Sequence, residues 1–194
     1  RRDGWDVDRH RAAAFAQPLV SCAPAERDRV AAWLGARAGQ RPPVAFAPCT
    51  PMPAKAWPLE RFEQLGRRLL AQTGLRPVVV GGREDAAVGQ RLVSTWGRGR
   101  NAAGAFSPRE TAALLERCAL LVGVDSGPAH LAAAVGCRAV VLGSAHRPPG
   151  QWTPLGDGHT LLRRRVPCEG CRLRACPLPD HPCMTLLEVD EVQA

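Results

Sequence analysis

The chain has 194 residues, a net charge of +8, 45% hydrophobic residues and 23% charged residues, which is typical of a globular protein with one sizeable domain. We expect no membrane-spanning helix, because no apolar run approaches the roughly 20 residues that a helix needs to cross a bilayer. The positive charge is compatible with phosphates, nucleic acid or an anionic membrane surface, whereas 5% aromatic residues argue against a module that stacks single-stranded bases.

The first predicted element is a helix within an Arg- and Ala-rich segment, residues 1–42. This helix runs over residues 26–38 and places Val30, Trp33 and Leu34 on one face. We interpret residues 1–42 as a linker that leads into the main domain.

Apolar strands alternate with helices over residues 43–166. The predicted strands are 44–47, 77–80, 120–124 and 139–143, with an edge strand at 159–163. The predicted helices are 58–72, 84–96, 107–118 and 128–135. This alternation predicts an α/β fold, a Rossmann-like parallel sheet with helices on both faces. Ligands bind beyond the carboxyl ends of such strands, so we expect a site after residues 47, 80 and 124.

One strand-to-helix turn carries the strongest motif, Asp125-Ser126-Gly127-Pro128-Ala129-His130. Asp125 or Ser126 can cap the following helix, and Pro128 suits its first turn. Unpaired N–H groups and the helix dipole make such a turn suitable for an anion, with His130 able to donate to a phosphate or a sugar hydroxyl. The alternative is an ordinary capped helix with a solvated histidine.

The loop after the first strand is stiffened by three prolines and contains Lys55, the only lysine in the chain. A lysine in so Arg-rich a chain indicates a need for a compact ammonium group rather than a planar guanidinium group. We expect Lys55 to place positive charge on a departing diphosphate, the alternative being an exposed loop lysine.

A third loop, Gly81-Gly82-Arg83-Glu84-Asp85, follows the second strand. A carboxylate such as that of Glu84 can accept hydrogen bonds from both hydroxyls of a ribose. The alternative is an acidic first helical turn, which is favourable in any helix.

The order of these motifs resembles glycosyltransferase family 9. The shared pattern is Lys-x-Trp-Pro before a helix, Gly-Gly-x-Glu after a strand, Asp-Ser-Gly-Pro-x-His-Leu-Ala-Ala-Ala, a Trp-x-Pro-Leu-Gly loop and a cysteine-rich tail. The resemblance extends from about Pro43 to the C-terminus. This family contains the ADP-heptose:lipopolysaccharide heptosyltransferases, so the resemblance implies the second, donor-binding half of a GT-B fold.

The resemblance also implies the residues that bind a nucleotide-sugar donor similar to ADP-heptose. These are Thr50, Lys55, Glu84, Phe106, Asp125, Ser126, Gly127, Pro128 and His130. Residues 125–130 would hold the diphosphate and the sugar, and Lys55 would steady the leaving ADP without a metal or other catalytic cofactor. Glu84 would bind the ribose, and Phe106 would line the adenine pocket.

The chain departs from the family pattern in two places. The family usually has Gly-Ala-Ser or a pair of threonines before the lysine, whereas this chain has Cys49-Thr50-Pro51, and Pro51 offers neither a hydroxyl nor an N–H to a phosphate. The general base of the family, an aspartate near a Gly-Asp motif in the first domain, has no counterpart here. We therefore expect this chain to bind the donor but not to transfer sugar alone.

The intact enzyme implied by the resemblance is an inverting transferase of lipopolysaccharide core synthesis. Its acceptor would be the lipopolysaccharide core on the cytoplasmic side of the inner membrane. Arg163–Arg165 would then contact anionic headgroups, which predicts a cytoplasmic protein with peripheral membrane contact.

Residues 167–194 are predicted to form a cysteine-rich appendage with a terminal helix near Val189. It carries Cys168, Cys171, Cys176 and Cys183. No secretory signal is recognisable, so we expect a reducing cytosol, where clustered thiols indicate a metal more than disulfides. Four thiolates can hold a structural zinc or iron ion, the alternative being unpaired or disulfide-linked cysteines.

Two other functions remain open at this point. A basic, zinc-binding module associated with nucleic acid would explain the charge and the cysteines, but not the turn at Asp125, and we expect no nucleic-acid partner. A protein similar to heptosyltransferases that has lost activity and serves only in assembly is the other alternative.

Overall fold

The computed structural model describes residues 18–35 and 41–193, which form a parallel sheet of six strands with helices on both faces. The strands are β1 (Val44–Ala47), β2 (Pro77–Val79), β3 (Arg100–Asn101), β4 (Leu120–Val124), β5 (Ala139–Gly143) and β6 (His159–Arg163). Their order across the sheet is β3-β2-β1-β4-β5-β6. The direction of winding reverses between β1 and β4, and a crevice for a ligand opens at such a switch point. The predicted fold class is therefore confirmed.

The helices lie between these strands and after the last one. They are α1 (Pro24–Leu34), α2 (Leu59–Thr73), α3 (Ala86–Trp96), α4 (Pro108–Leu115), α5 (Gly127–Ala134), α6 (Pro182–Thr185) and α7 (Val189–Gln193). Short 3₁₀ turns at Pro53–Lys55 and Arg83–Asp85 precede α2 and α3. Among the described residues, no helix is long and apolar enough to cross a membrane.

The ends of the helices follow local chemistry. Gly74 ends α2 in the left-handed conformation, with φ +62°, as expected. Ser107 caps α4 in a capping box with Glu110, also as expected. The last predicted turn of α4 is not α-helical, because Arg117 and Cys118 donate to carbonyls three residues back. The predicted end of α1, at residue 38, lies outside the described residues.

Each face of the sheet has its own apolar core. On one face α1, α4 and α5 cover the sheet, and Val30 and Leu34 of α1 are buried there. On the other face α2 and α3 bury Phe62 and Leu92. The helix predicted as part of a linker thus packs onto the domain.

The separate cysteine-rich appendage is not confirmed. Met184 and Leu187 are 0% and 1% exposed, and they belong to the core beneath α2 and α3. The indole N–H of Trp57 donates to the carbonyl of Leu187 at 2.9 Å. The end of the described chain is therefore packed against the sheet domain through its apolar side chains.

Candidate functional site

The candidate site lies where the carboxyl ends of β1 and β4 meet. These strands are neighbours, with Ala47 opposite Gly123. Only glycine fits at this position, because a Cβ atom on Gly123 would lie 2.5 Å from the carbonyl oxygen of Ala47. The loop after β1 and the turn after β4 therefore leave the sheet side by side and bring Lys55 next to Asp125.

Lys55 and Asp125 form an ion pair with 2.7 Å between Nζ and Oδ2, and only 14% and 15% of their side chains are exposed. The Nε2 atom of His130 lies 3.5 Å from the other carboxylate oxygen, Oδ1. Burial alone would raise the pKa of Asp125, but hydrogen bonds from His130 and Lys55 and the charge of Lys55 lower it below its ordinary value. Asp125 is therefore ionised at neutral pH, with each oxygen facing a different nitrogen.

The loop that carries Lys55 is held by the cysteine-rich segment. The N–H of Ala54 donates to the carbonyl of Arg174 at 3.0 Å. The Nε2 atom of His181 lies 3.2 Å from the carbonyl oxygen of Ala54. The position of the Lys55 ammonium group thus depends on residues far away in the sequence.

Two cavities flank the turn after β4. The larger has a volume of about 650 Å³ and is lined by Phe106, His130 and Leu131, among others. The smaller has a volume of about 240 Å³ and is lined by residues that include Thr50 and Glu84. Four residues line both cavities, so the cavities adjoin along the same turn: Gly81, Gly82, Gly127 and Pro128.

The structure brings all the predicted donor-binding residues into this region. Thr50, Glu84, Ser126, Gly127 and Pro128 line the smaller cavity. Phe106 and His130 line the larger one, and Lys55 and Asp125 form the ion pair beside them. Their roles toward a ligand stay a prediction.

The N-terminus of α5 is not capped by a side chain, unlike the prediction for Asp125 or Ser126. The Ser126 hydroxyl instead donates back to the carbonyl of Val124 at 3.3 Å, and Asp125 faces Lys55. Pro128 has no N–H and Ala129 donates to the carbonyl of Ser126 at 3.0 Å, so the N–H of Gly127 is the first-turn group left without a side-chain acceptor within the described part of the chain. The positive end of the helix dipole is left open beside the two cavities, which favours an anion.

Cys49 and Asp85 also line the smaller cavity. Both stand in the loops quoted above, but neither was predicted as a donor-binding residue. Burial, followed by the charge of Asp85, raises the pKa of the Cys49 thiol to about 12, so the thiol is neutral. Asp85 in turn accepts from the backbone N–H of Gly82 at 2.8 Å. The signal that could have found both residues is their place in the loops that follow β1 and β2.

A second missed pair lies after β5. The Oγ atom of Ser144 and the Nδ1 atom of His146 are 2.9 Å apart and buried. Burial, followed by the nearby charge of Lys55, lowers the pKa of His146. The imidazole is therefore neutral at neutral pH and adds no positive charge behind the Lys55–Asp125 pair.

The predicted metal site at Cys168, Cys171, Cys176 and Cys183 is not confirmed. Within residues 18–35 and 41–193, no three His, Cys, Asp or Glu side chains are arranged to hold a metal ion. Cys183, within α6, is buried in the core, whereas Cys168 and Cys171 are exposed. The packing of α6 thus draws one of the four thiols away from the surface.

The fold and the site together define a Rossmann-like domain with a ligand site at its switch point. A sequence model of glycosyltransferase family 9 (heptosyltransferase) matches residues 8–181. The chain belongs to this family, which confirms the resemblance seen in the sequence motifs.

Known relatives agree with this assignment. Over 132 residues the chain is 32% identical to lipooligosaccharide heptosyltransferase 2 of Haemophilus influenzae, a match that covers 64% of the chain and 37% of that protein. The solved structure of Escherichia coli ADP-heptose lipopolysaccharide heptosyltransferase II has a TM-score of 0.72 at 22% identity, covering 92% of this chain and 53% of that one.

A third similar structure is the dodecameric, iron-containing heptosyltransferase TibC of E. coli in complex with ADP-D-β-D-heptose. Its TM-score is 0.63 at 18% identity, and the match covers 81% of this chain and 45% of TibC. At these identities the structural likeness concerns the fold. The chain spans about half the length of these structures.

Proposed function

We propose that this domain binds the nucleotide-sugar donor, similar to ADP-heptose, of an inverting glycosyltransferase of lipopolysaccharide core synthesis. The observation that carries the proposal is the Lys55–Asp125 ion pair at the switch point, directly beside two adjoining cavities. Membership of the heptosyltransferase family supports the class of donor.

In this proposal the base and ribose of the nucleotide occupy the two cavities. Phe106 and Leu131 give the larger cavity apolar walls suited to an adenine ring. Glu84 in the smaller cavity accepts from the ribose hydroxyls. The diphosphate then lies against the uncapped N-terminus of α5.

Lys55 contacts the diphosphate while it remains paired with Asp125. An ammonium group has three N–H donors, and the ion pair uses one of them. The remaining donors stabilise negative charge that builds on the leaving diphosphate, so no metal ion is required there. Asp125 and His130 would orient the sugar hydroxyls.

The proposed reaction is a direct displacement at the anomeric carbon. The acceptor oxygen forms a bond to this carbon as the bond from the carbon to the diphosphate oxygen breaks, and ADP leaves with the electron pair. The proton of the acceptor hydroxyl passes to a carboxylate of the acceptor-binding half of the enzyme. Because this carboxylate belongs to the acceptor-binding half, we propose that the donor-binding domain alone binds donor without transferring sugar.

The proposed acceptor is the lipopolysaccharide core, at the cytoplasmic face of the inner membrane. The similarity to a lipooligosaccharide heptosyltransferase and to a lipopolysaccharide heptosyltransferase supports this class of acceptor. Membrane contact at Arg163–Arg165 is weakened by pairing, because Arg163 binds Glu169 and Arg164 binds Glu191. Arg165 also lies 4.0 Å from Glu169, but with 92% of its side chain exposed it is the arginine of this group most open to a headgroup.

Calorimetric titration with ADP tests the donor site. We expect the chain to bind ADP and Lys55→Ala to weaken binding about tenfold or more, because a charge-assisted hydrogen bond is lost. Arg67→Ala, an exposed cation on α2, is the matched control and should bind like the wild type. An unchanged affinity of Lys55→Ala would remove this residue from the site.

A parallel titration with a short single-stranded oligonucleotide tests the nucleic-acid alternative. Tight oligonucleotide binding without any response to ADP would overturn the proposed function. Sugar transfer by this chain alone would contradict only the assignment of the general base, the carboxylate that takes the acceptor proton, to the acceptor-binding half of the enzyme.

We also propose that the four cysteines of the C-terminal segment bind structural zinc or iron. The four thiols lie within 16 residues of one another in the sequence, and burial, with nearby Cys176, Cys168 and Cys171, raises the pKa of the Cys183 thiol. Elemental analysis of the purified chain tests this proposal, with Cys171→Ser against the control Cys22→Ser. Less than about a tenth of an equivalent of metal in the wild type would refute the proposal.

A further inference from the structure

The amino edge of the sheet, opposite the donor site, contains a cavity of about 400 Å³ that is lined by four arginines. They are Arg41, Arg76, Arg98 and Arg100. Apolar residues such as Leu34 and Val78 form the rest of its wall, and no carboxylate of residues 18–35 or 41–193 lines it.

The topology explains why these arginines converge. Arg41 precedes β1, Arg76 directly precedes β2, and Arg98 and Arg100 lie before and at the start of β3. The three strands are parallel neighbours, so their amino ends meet at one edge of the sheet. Residues that are far apart in the sequence are thereby brought around a single cavity.

The charges of this group are not compensated within the described residues. None of the four guanidinium groups forms an ion pair there, whereas arginines elsewhere do, such as Arg27 with Glu116 at 2.8 Å. Four guanidinium groups around one cavity create a positive field there, which solvent screens in part because Arg41, Arg98 and Arg100 are exposed.

Part of the hydrogen-bonding capacity of the group is used to fix its geometry. Arg41 donates to the carbonyl of Thr73 at 2.9 Å, and Arg76 donates to the carbonyl of Arg41 at 3.3 Å. The guanidinium group of Arg100 stacks over the ring of Trp33, 4.1 Å from its centre. A guanidinium group has five N–H donors, so most donors remain available to a ligand.

We infer that this cavity is a second anion site, which binds a phosphate-bearing group. Arginine matches phosphate oxygens with pairs of parallel N–H groups, and the positive field of the group attracts a dianion. The volume is in the range of small-molecule sites, so a phosphorylated small molecule or a lipid headgroup fits better than a peptide. The site lies across the sheet from Lys55 and is independent of the proposed donor function.

Calorimetric titration of the full chain with inorganic pyrophosphate tests the inference. We expect Arg98→Gln to weaken binding about tenfold, and the double variant Arg76→Gln/Arg98→Gln about a hundredfold. Arg98 is the milder probe, because its side chain makes no hydrogen bond or ion pair with another described residue. Arg67→Gln/Arg117→Gln removes the same charge from exposed positions and should bind within about twofold of the wild type. Lys55→Gln reports any pyrophosphate that binds at the donor site instead.

A second arm identifies the source of the phosphate. Sedimentation with phosphatidylglycerol-containing vesicles, against vesicles of phosphatidylcholine alone, reports a lipid headgroup. Loss of binding in the variants at Arg76 and Arg98, with the control double variant unaffected, supports the site. If pyrophosphate binding is lost, the phosphate comes from a small molecule; if vesicle binding is lost, it comes from a lipid headgroup. Absence of both interactions, loss of pyrophosphate binding only in Lys55→Gln, or an equal loss in the control variant would overturn it.

Discussion

Neutralising Asp125 tests whether its ion pair with Lys55 organises the candidate site. We consider Asp125→Asn, Lys55→Gln and the double variant, which together form a thermodynamic cycle. Asparagine and glutamine keep the approximate shape of the side chains, so the cycle isolates the charge interaction.

The structure sets the magnitude of this interaction. At 2.7 Å the attraction between two unit charges is about 6 kcal/mol for an effective dielectric constant of about 20. The cost of removing both groups from water offsets much of this, because only 14% and 15% of the two side chains remain exposed. We therefore expect a coupling energy of about 1–3 kcal/mol and a loss of about 2–3 kcal/mol for Asp125→Asn alone.

Urea unfolding followed by circular dichroism measures the cycle. The folded pKa of Asp125 is lowered, so its contribution is present above its ordinary value of 3.8 and is lost as the pH falls through the lower folded value. The part of the coupling that depends on the Asp125 charge should therefore shrink only below about pH 3.8. A coupling below about 0.5 kcal/mol at pH 7, or one that does not shrink below pH 3.8, would refute the reasoning.

Three further substitutions test how the fold supports the site. Gly123→Ala places a methyl group against the Ala47 carbonyl, so it should lower the free energy of unfolding by about 1–3 kcal/mol and weaken ADP binding in calorimetry; normal ADP affinity would contradict this. Ser107→Ala removes the oxygen that accepts from the Glu110 N–H at 3.3 Å, and urea unfolding should show a loss of about 1 kcal/mol with ADP binding intact. Met184→Ala empties a position that is 0% exposed and should cost about 2–5 kcal/mol; a cost under 1 kcal/mol would mean that the C-terminal segment does not share the core.

The regular part of the fold could be predicted because its signals are local. The apolar runs at β1, β4 and β5, and the capping box at Ser107, each specify one element within a few residues. Strand β3 was missed because it consists of only two polar residues, Arg100 and Asn101. Its place in the sheet comes from pairing with β2 and not from an apolar run.

The site could be predicted as a set of strand ends but not as a set of contacts. The pairing of β1 with β4 decides that Lys55 meets Asp125, and this pairing joins residues distant in the sequence. The spacing of the cysteines predicts a ligand set, but it does not predict that Cys183 is buried whereas Cys168 and Cys171 are exposed. This difference in burial comes from tertiary packing, so the ligand set stays a prediction.

The contacts of Lys55 also explain why a chain so rich in arginine has its one lysine at this position. The carboxylate of Asp125 presents one oxygen to Lys55 and the other to His130. A planar guanidinium group tends to take both oxygens of a carboxylate at once, which would displace His130. A compact ammonium group binds one oxygen and keeps two donors for a phosphate. At the opposite edge of the sheet no carboxylate of the described residues lines the cavity, so no carboxylate is shared between two cationic groups. Arginines such as Arg76 and Arg98 line this cavity.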